Sequence, residues 1–257
     1  MTSEHINPDR FADSAGVPWQ GRHFEANQHS QDDGKADEVL VQALAEFQNQ
    51  VGSIEAVFAA LRNARVLVPL VASLGESAEG AHGQTVDKSA DLAIVSVQTP
   101  DGQVGIPVFS CVETMSAWNK TARPVPSDVP RVALAAASEQ ATRVVLDPGS
   151  PTEFVMRRPM IEAMAQSLGW SAPWADDSVK AAFAAVLKED TDVSNWAIYT
   201  EDLNSRLVAP EVTVLLKLRE GLDQRGIDAL VEQFMESCKL SAVIAARVDS
   251  MQLKLTR

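Results

Sequence analysis

The sequence predicts an α/β or α+β protein, with two small mixed-sheet domains flanked by helices behind a disordered amino-terminal leader. Three observations carry this. From Lys35 onward, apolar stripes at helical spacing alternate with short β-branched runs. A stretch with two tryptophans, Gly169 to Trp174, divides the patterned region. The first 34 residues show no such pattern. The expected organisation is a leader over 1–34, a domain over 35–170 and a second over 175–257. A chain of 257 residues suits one large domain or two smaller ones.

The leader is predicted from what it cannot bury. Gln20 to Asp33 carries one large apolar side chain among polar ones, too little to offset the entropy of ordering it. Helical spacing then begins. Leu40, Leu44, Phe47 and Val51 share one face. Gly52 interrupts, Ser53 can cap a second helix, and Ile54, Val57, Phe58 and Leu61 follow the i, i+3, i+4, i+7 pattern. Val66 to Val71 reads as a strand. Pro69 cannot donate to a ladder, so an edge position or an unpaired side is expected. A loop spans Ser73 to Ala90 with Gly75, Gly80 and Gly83. Asp91–Val97 and Gln103–Phe109 read as a hairpin closed by Thr99-Pro100-Asp101-Gly102.

Ser110-Cys111-Val112-Glu113 has capping-box spacing and should open a short helix to about Trp118. Arg123 to Ser127, with two prolines, reads as a loop. Ser127 or Asp128 can cap an alanine-rich helix through Ala137. Thr142–Leu146 is a strand ended by Asp147-Pro148-Gly149, and Phe154–Met156 is another. Arg158 leads into a helix with Pro159 in its first turn and Met160, Ile161, Met164 and Leu168 on one face. Val179, Phe183, Val186 and Leu187 mark the next helix, and Trp196–Tyr199 a weak strand. Val212, Val214, Leu216 and Leu218 alternate as a strand ended by Gly221. Ile227 to Cys238 is the cleanest helical stripe. Leu240–Val248 stays open between helix and strand. Met251, Leu253 and Leu255 alternate in a final strand.

Composition excludes several functions. The net charge of −13 argues against nucleic acid, which needs cations to displace counterions. The acid is spread out: 12 basic and 21 acidic residues stand through Trp170, 10 and 14 after it. No apolar run is long enough to span a bilayer, and the first residues do not read as a secretory signal. Two cysteines fit a reduced cytoplasm, the expected location.

Chemistry is sparse. There is no glycine-rich phosphate loop and no metal-ligand spacing, so neither cofactor nor metal is expected. All four histidines lie at or before His82, which removes the commonest general base from the rest of the chain. The candidate ligand-binding residues are Asp87, Lys88, Ser110, Cys111 and Trp118. Asp87 and Lys88 flank the glycine loop, where a ligand role competes with a solvated pair. Ser110 opens a helix whose N–H groups could hold an anion, or could be satisfied by Glu113. Cys111 in a first turn could be an activated thiol, or a small buried residue. Trp118 is either core or a partner contact.

Four segments carry a resemblance: Ala64–Ala72, Asp87–Val95, Ile106–Glu113 with Trp118 downstream, and Val144–Phe154. In order and wording they resemble the SseB amino-terminal domain family in its actinobacterial form, over roughly Leu40 to Leu168. The resemblance implies a carboxy-terminal partner domain over Val179 to Leu255 and assigns no chemistry to any motif. The expected function is non-catalytic binding of an unidentified protein or small molecule. Two alternatives stay open: an enzyme or redox-sensitive protein using Cys111, and a homo-oligomeric scaffold.

Overall fold

The computed structural model describes residues 29, 31–73, 91–188 and 190–257. The leader reading over 1–34 falls almost wholly outside the described residues, and so do Asp87, Lys88 and the glycines of the 73–90 loop. Residues Asp33–Arg257 form one compact unit with an α+β fold.

Helix α1 (Glu38–Gln48) starts where the Asp37 carboxylate accepts the Leu40 N–H at 2.9 Å. Leu40, Leu44 and Phe47 are buried as expected. Val51 is not: Gln50 turns the chain at φ 60°, and Val51 is 79% exposed beyond it. Ser53 caps α2 (Ile54–Asn63), accepting the Ala56 N–H at 3.2 Å. Strand β1 (Arg65–Ser73) follows. The expected hairpin is present but shorter. Its first arm divides into β2 (Asp91–Ile94) and β3 (Val97–Gln98), and only β3 pairs with β4 (Val104–Val108). The turn works as read: Gly102 takes φ 78°, and the Thr99 N–H donates to Gln103 O at 3.0 Å.

After the short α3 (Val112–Trp118), residues Arg123–Asp128 form β5, where the sequence reads as a loop. The same pairing explains Pro69. Strand β1 is central in the sheet β2-β1-β5, not at its edge. Pro69 faces Pro124, and Leu67 faces Pro126. Leu67 spends its N–H and C=O on Phe109, at 2.8 and 2.9 Å. Antiparallel pairs alternate between bonded and non-bonded, so all three prolines occupy non-bonded positions. Their missing donors cost the β1–β5 ladder nothing, and Pro124 and Pro126 lie on an edge strand.

Helix α4 (Val129–Ser138) leads to β6 (Arg143–Leu146) and β7 (Phe154–Arg157), then α5 (Arg158–Ala165). Leu168, expected on the buried face of α5, is 54% exposed because the helix ends before it and Ser167 turns at φ 56°. The second sheet runs β3-β4-β6-β7, with β4 and β6 parallel. Ile106, Val108, Val144, Leu146, Phe154 and Met156 share one core with residues of α1, α2, α4 and α5.

Helix α6 (Asp177–Leu187), β8 (Val193–Tyr199), β9 (Val212–Leu218), α7 (Gln224–Leu240), α8 (Ala242–Arg247) and β10 (Met251–Thr256) complete the unit. The ambiguous 240–248 stretch is helical. Ser241 ends α7 and caps α8, accepting the Ile244 N–H. The sheet order is β10-β9-β8, with β9 and β10 parallel. Val212, Val214, Leu216 and Leu218 pack with Phe183, Phe234 and Ile244 in a second core. Cys238 lies in it, and burial pushes its thiol up to about 12. Trp174 touches both cores. Among the described residues, no helix is long and apolar enough to cross a membrane.

Candidate functional site

Parallel strands β4 and β6 end side by side, and their carboxyl ends hold the sequence-predicted Ser110 and Cys111. The capping box does not form. Helix α3 begins after Cys111, which makes no side-chain cap. Ser110 turns instead to Asp147, giving its N–H to Oδ1 at 2.8 Å and its hydroxyl to Oδ2 at 2.7 Å. Thr114 donates to Oδ1 at 2.8 Å and Thr152 to Oδ2 at 2.9 Å. Asp147 is fully buried at φ 48°. The Asp147-Pro148-Gly149 turn forms, with the Ser150 N–H donating to Asp147 O at 3.1 Å, and the Asp147 side chain also clamps β4, α3 and the β6–β7 connection together.

That clamp leaves little for a ligand at the helix start. The Val112 N–H is taken by Gly34 O at 2.9 Å. Cys111 is half-buried, and its Sγ lies 3.6 Å from the Thr114 hydroxyl. A hydroxyl does not draw a proton from a thiol as a histidine would.

Trp118 sits at the far end of α3, with its ring 5.3 Å from Phe109. It borders a different space, a pocket of about 310 Å³ with Pro100, Val145, Pro148, Val155 and Arg206. Ser110 and Cys111 do not line that pocket. The structure therefore brings Ser110 and Cys111 together and sets Trp118 apart from them.

A larger cleft, about 560 Å³, lies over the opposite end of β6 and β7. Its floor is Arg143 and Arg157, both about 5% exposed. Arg143 uses all five N–H groups. Nε and one terminal nitrogen reach Asp101 at 2.9 and 2.7 Å; Asp249 receives two bonds at 2.8 and 2.9 Å; Thr142 O receives one at 2.7 Å. Arg157 bonds Asp202 at 2.6 Å, Ala209 O at 2.8 Å and Ser250 Oγ at 3.2 Å. Partial burial pushes the Asp101 carboxyl up, but bonds from Thr99 and Arg143 outweigh it and hold Asp101 below its ordinary value. Leu207, Val208 and Pro210 give the cleft an apolar wall.

Sequence reasoning missed this cleft. One signal was available: Arg143 stands beside the otherwise apolar run Val144 to Leu146, and Arg157 ends Phe-Val-Met. Arginine on a buried strand must be paired. The partners were not readable, because Asp101 and Asp249 lie 42 and 106 residues from Arg143.

Residues 40–163 match the family model of the SseB protein N-terminal domain. Over these residues the chain carries an SseB N-terminal domain. No curated protein and no solved structure matches the chain. The matched stretch runs from α1 into α5, so the SseB N-terminal domain contains the Asp147 clamp, Trp118 and both buried arginines. Asp202, Asp249 and Ser250 come from the chain beyond it. The cleft over β6 and β7 is thus lined partly by the SseB N-terminal domain and partly by the residues that follow.

Proposed function

We propose that this SseB-domain protein is a non-catalytic cytoplasmic binding protein that holds a small polar ligand without net charge in the cleft over Arg143 and Arg157. The carrying observation is the pairing state of that cleft. Its volume of about 560 Å³ falls in the range of small-molecule sites. Its lining has both signs of charge, yet all five Arg143 N–H groups and three of the five on Arg157 are already committed to carboxylates, carbonyls and the Ser250 hydroxyl. A phosphate would have to break those bonds, which argues against nucleotides. Catalysis is also disfavoured, since Asp101 and Asp249 accept strong bonds from Arg143 and are poor general bases. Ser250, Gln103 and Thr142 supply neutral polar groups, and Leu207 and Pro210 an apolar side. The two free cysteines suit a reducing compartment.

The test is a thermal-shift screen of the full chain with zwitterionic amino acids, polyols and nucleotides, repeated on Val208→Trp. Val208 is 76% exposed and lines the cleft, so the indole fills space without disturbing a core. A ligand at about 100 times its Kd stabilises by about 2.7 kcal/mol, an easily read shift. The expected result is a shift with a neutral or zwitterionic compound, none with nucleotides, and loss of the shift in Val208→Trp. A nucleotide response, or binding unchanged by the tryptophan, would overturn the reading.

A further inference from the structure

Behind the cleft wall formed by Asp249 and Ser250 sits a carboxyl that the binding reading does not use. Glu211 is 3% exposed. Its Oε2 accepts the Asp249 N–H at 2.6 Å, and its own N–H donates to Ser250 Oγ at 3.1 Å. The same Ser250 Oγ accepts from Arg157. Glu211 therefore ties the 249–250 turn to the floor of the cleft.

The charges around it do not balance. From β6 comes Arg143, from β7 Arg157, from the loop after β8 Asp202, from the turn before β10 Asp249, and from the β3–β4 turn Asp101. Counting Glu211, four carboxyls surround two buried guanidinium groups. Arg158 also borders the cleft, but it pairs with Glu162 at 3.2 Å. Glu211 also borders a cavity of about 10 Å³, with room for one water at most; Arg157 and Asp202, already counted, line it, and Ile54, Met160, Trp170 and Trp174 there add no further charge. A proton on Glu211 relieves both the burial and the charge surplus.

We propose that Glu211 is a proton-operated latch, closed when it carries a proton and loosened when it ionises, so that the Asp249–Ser250 wall of the cleft responds to pH. Ionised Glu211 competes with Asp249 for Arg157, whose contact with Asp249 is already long at 3.6 Å. Burial is the main cause that raises the Glu211 carboxyl from 4.5 to about 7, with Asp249's charge adding to it; the Asp249 N–H, Arg157 and Arg143 oppose it. The folded state then holds a proton that the unfolded chain releases above about 4.5. This contribution is present below that pH, is lost as pH rises through about 7, and changes little above it.

The test compares wild type with Glu211→Gln, which keeps the shape of the neutral carboxyl. Between pH 5.5 and 8, the wild-type folding constant should fall on the order of twenty-fold more than that of the variant. Any other group that titrates in the same window is common to both proteins and cancels. Hydrogen exchange locates the change. Above pH 7 the amides of Asp249, bonded to Glu211, and Val212, bonded to Ser250 O, should lose protection in wild type relative to Glu211→Gln. Parallel stability curves, or unchanged protection at both amides, would overturn the proposal. If Glu211→Gln does not fold, the wild-type Asp249 amide shift decides: a midpoint near 7 supports the latch, and no inflection between pH 5.5 and 8.5 sinks it. All measurements are made without ligand, so the outcome is separate from that of the binding screen.

Discussion

Asp202→Ala is expected to destabilise the fold by about 3–5 kcal/mol, the range for removing one partner of a buried ion pair. The reason is what it abandons. Asp202 is 4% exposed and accepts the Arg157 guanidinium at 2.6 Å. Alanine would leave Arg157 buried with its remaining carboxylate contact, Asp249, at 3.6 Å. Asp202 also accepts the N–H groups of Arg206 and Leu207, each at 2.9 Å. Those bonds hold a loop in which Ser205 and Leu207 take positive φ, 50° and 61°. Such backbone is costly for a leucine and persists only when its surroundings fix it. Leu207 in turn packs on Val145 and Val155, covering the face of the second sheet away from α1, α2, α4 and α5.

Urea unfolding of wild type, Asp202→Ala and Asp202→Asn separates the contributions. Asparagine keeps an acceptor for the loop N–H groups but not the charge, so its loss should fall between the other two. The double variant Asp202→Leu with Arg157→Met removes both charges and should recover part of the Asp202→Ala loss. A loss below about 1 kcal/mol in Asp202→Ala would mean that water screens the pair, as at a surface bridge, and would remove the electrostatic account of this junction.

The contrast between what the sequence showed and what it hid has a physical basis. The stripes Ile54-Val57-Phe58-Leu61 and Leu230-Phe234-Cys238 were legible because a helix places i, i+3 and i+4 together whatever the tertiary fold. Caps at Asp37 and Ser53 were equally local; the first was not singled out, although its carboxylate position is an ordinary one. Strand β5 was missed because two prolines in six residues argue against a ladder. They are tolerated only because β1 offers them non-bonded positions, a fact of register rather than of local sequence. The split of β2 from β3 is likewise tertiary: Leu92 to Ile94 find their partners in β1, not in β4. The site followed the same rule. Ser110 and Cys111 were visible as a local motif, but Ser110's real partner is 37 residues away. The arginine cleft needed partners from three separate loops, and no spacing rule joins Asp101, Asp202 and Asp249.

Asp147→Ala is the second change expected to have a large effect, about 3–5 kcal/mol. One carboxylate with no exposure accepts four hydrogen bonds, from Ser110 N, Ser110 Oγ, Thr114 Oγ1 and Thr152 Oγ1. Alanine leaves the Ser110 N–H and hydroxyl inside without an acceptor, while Thr114 keeps Cys111 O at 3.0 Å and Thr152 keeps the Ser150 hydroxyl at 2.9 Å, and each unsatisfied buried group costs about 1–3 kcal/mol before relaxation. The backbone at φ 48° adds to this, since alanine tolerates that region less well than aspartate or asparagine. Asp147→Asn keeps the backbone preference and one acceptor oxygen, so it should cost less than alanine and more than a surface change. A second readout tests the clamp rather than general stability. Thr114 connects Asp147 to Cys111, with its hydroxyl 3.6 Å from Sγ. In native wild type, Cys111 should react slowly with iodoacetamide. In Asp147→Asn, under conditions where the protein stays folded, α3 is less firmly held and labelling at Cys111 should accelerate while buried Cys238 stays protected. Fast labelling of wild-type Cys111, with a titration well below about 8.5, would instead give the cysteine the reactive role that its hydroxyl neighbour argues against.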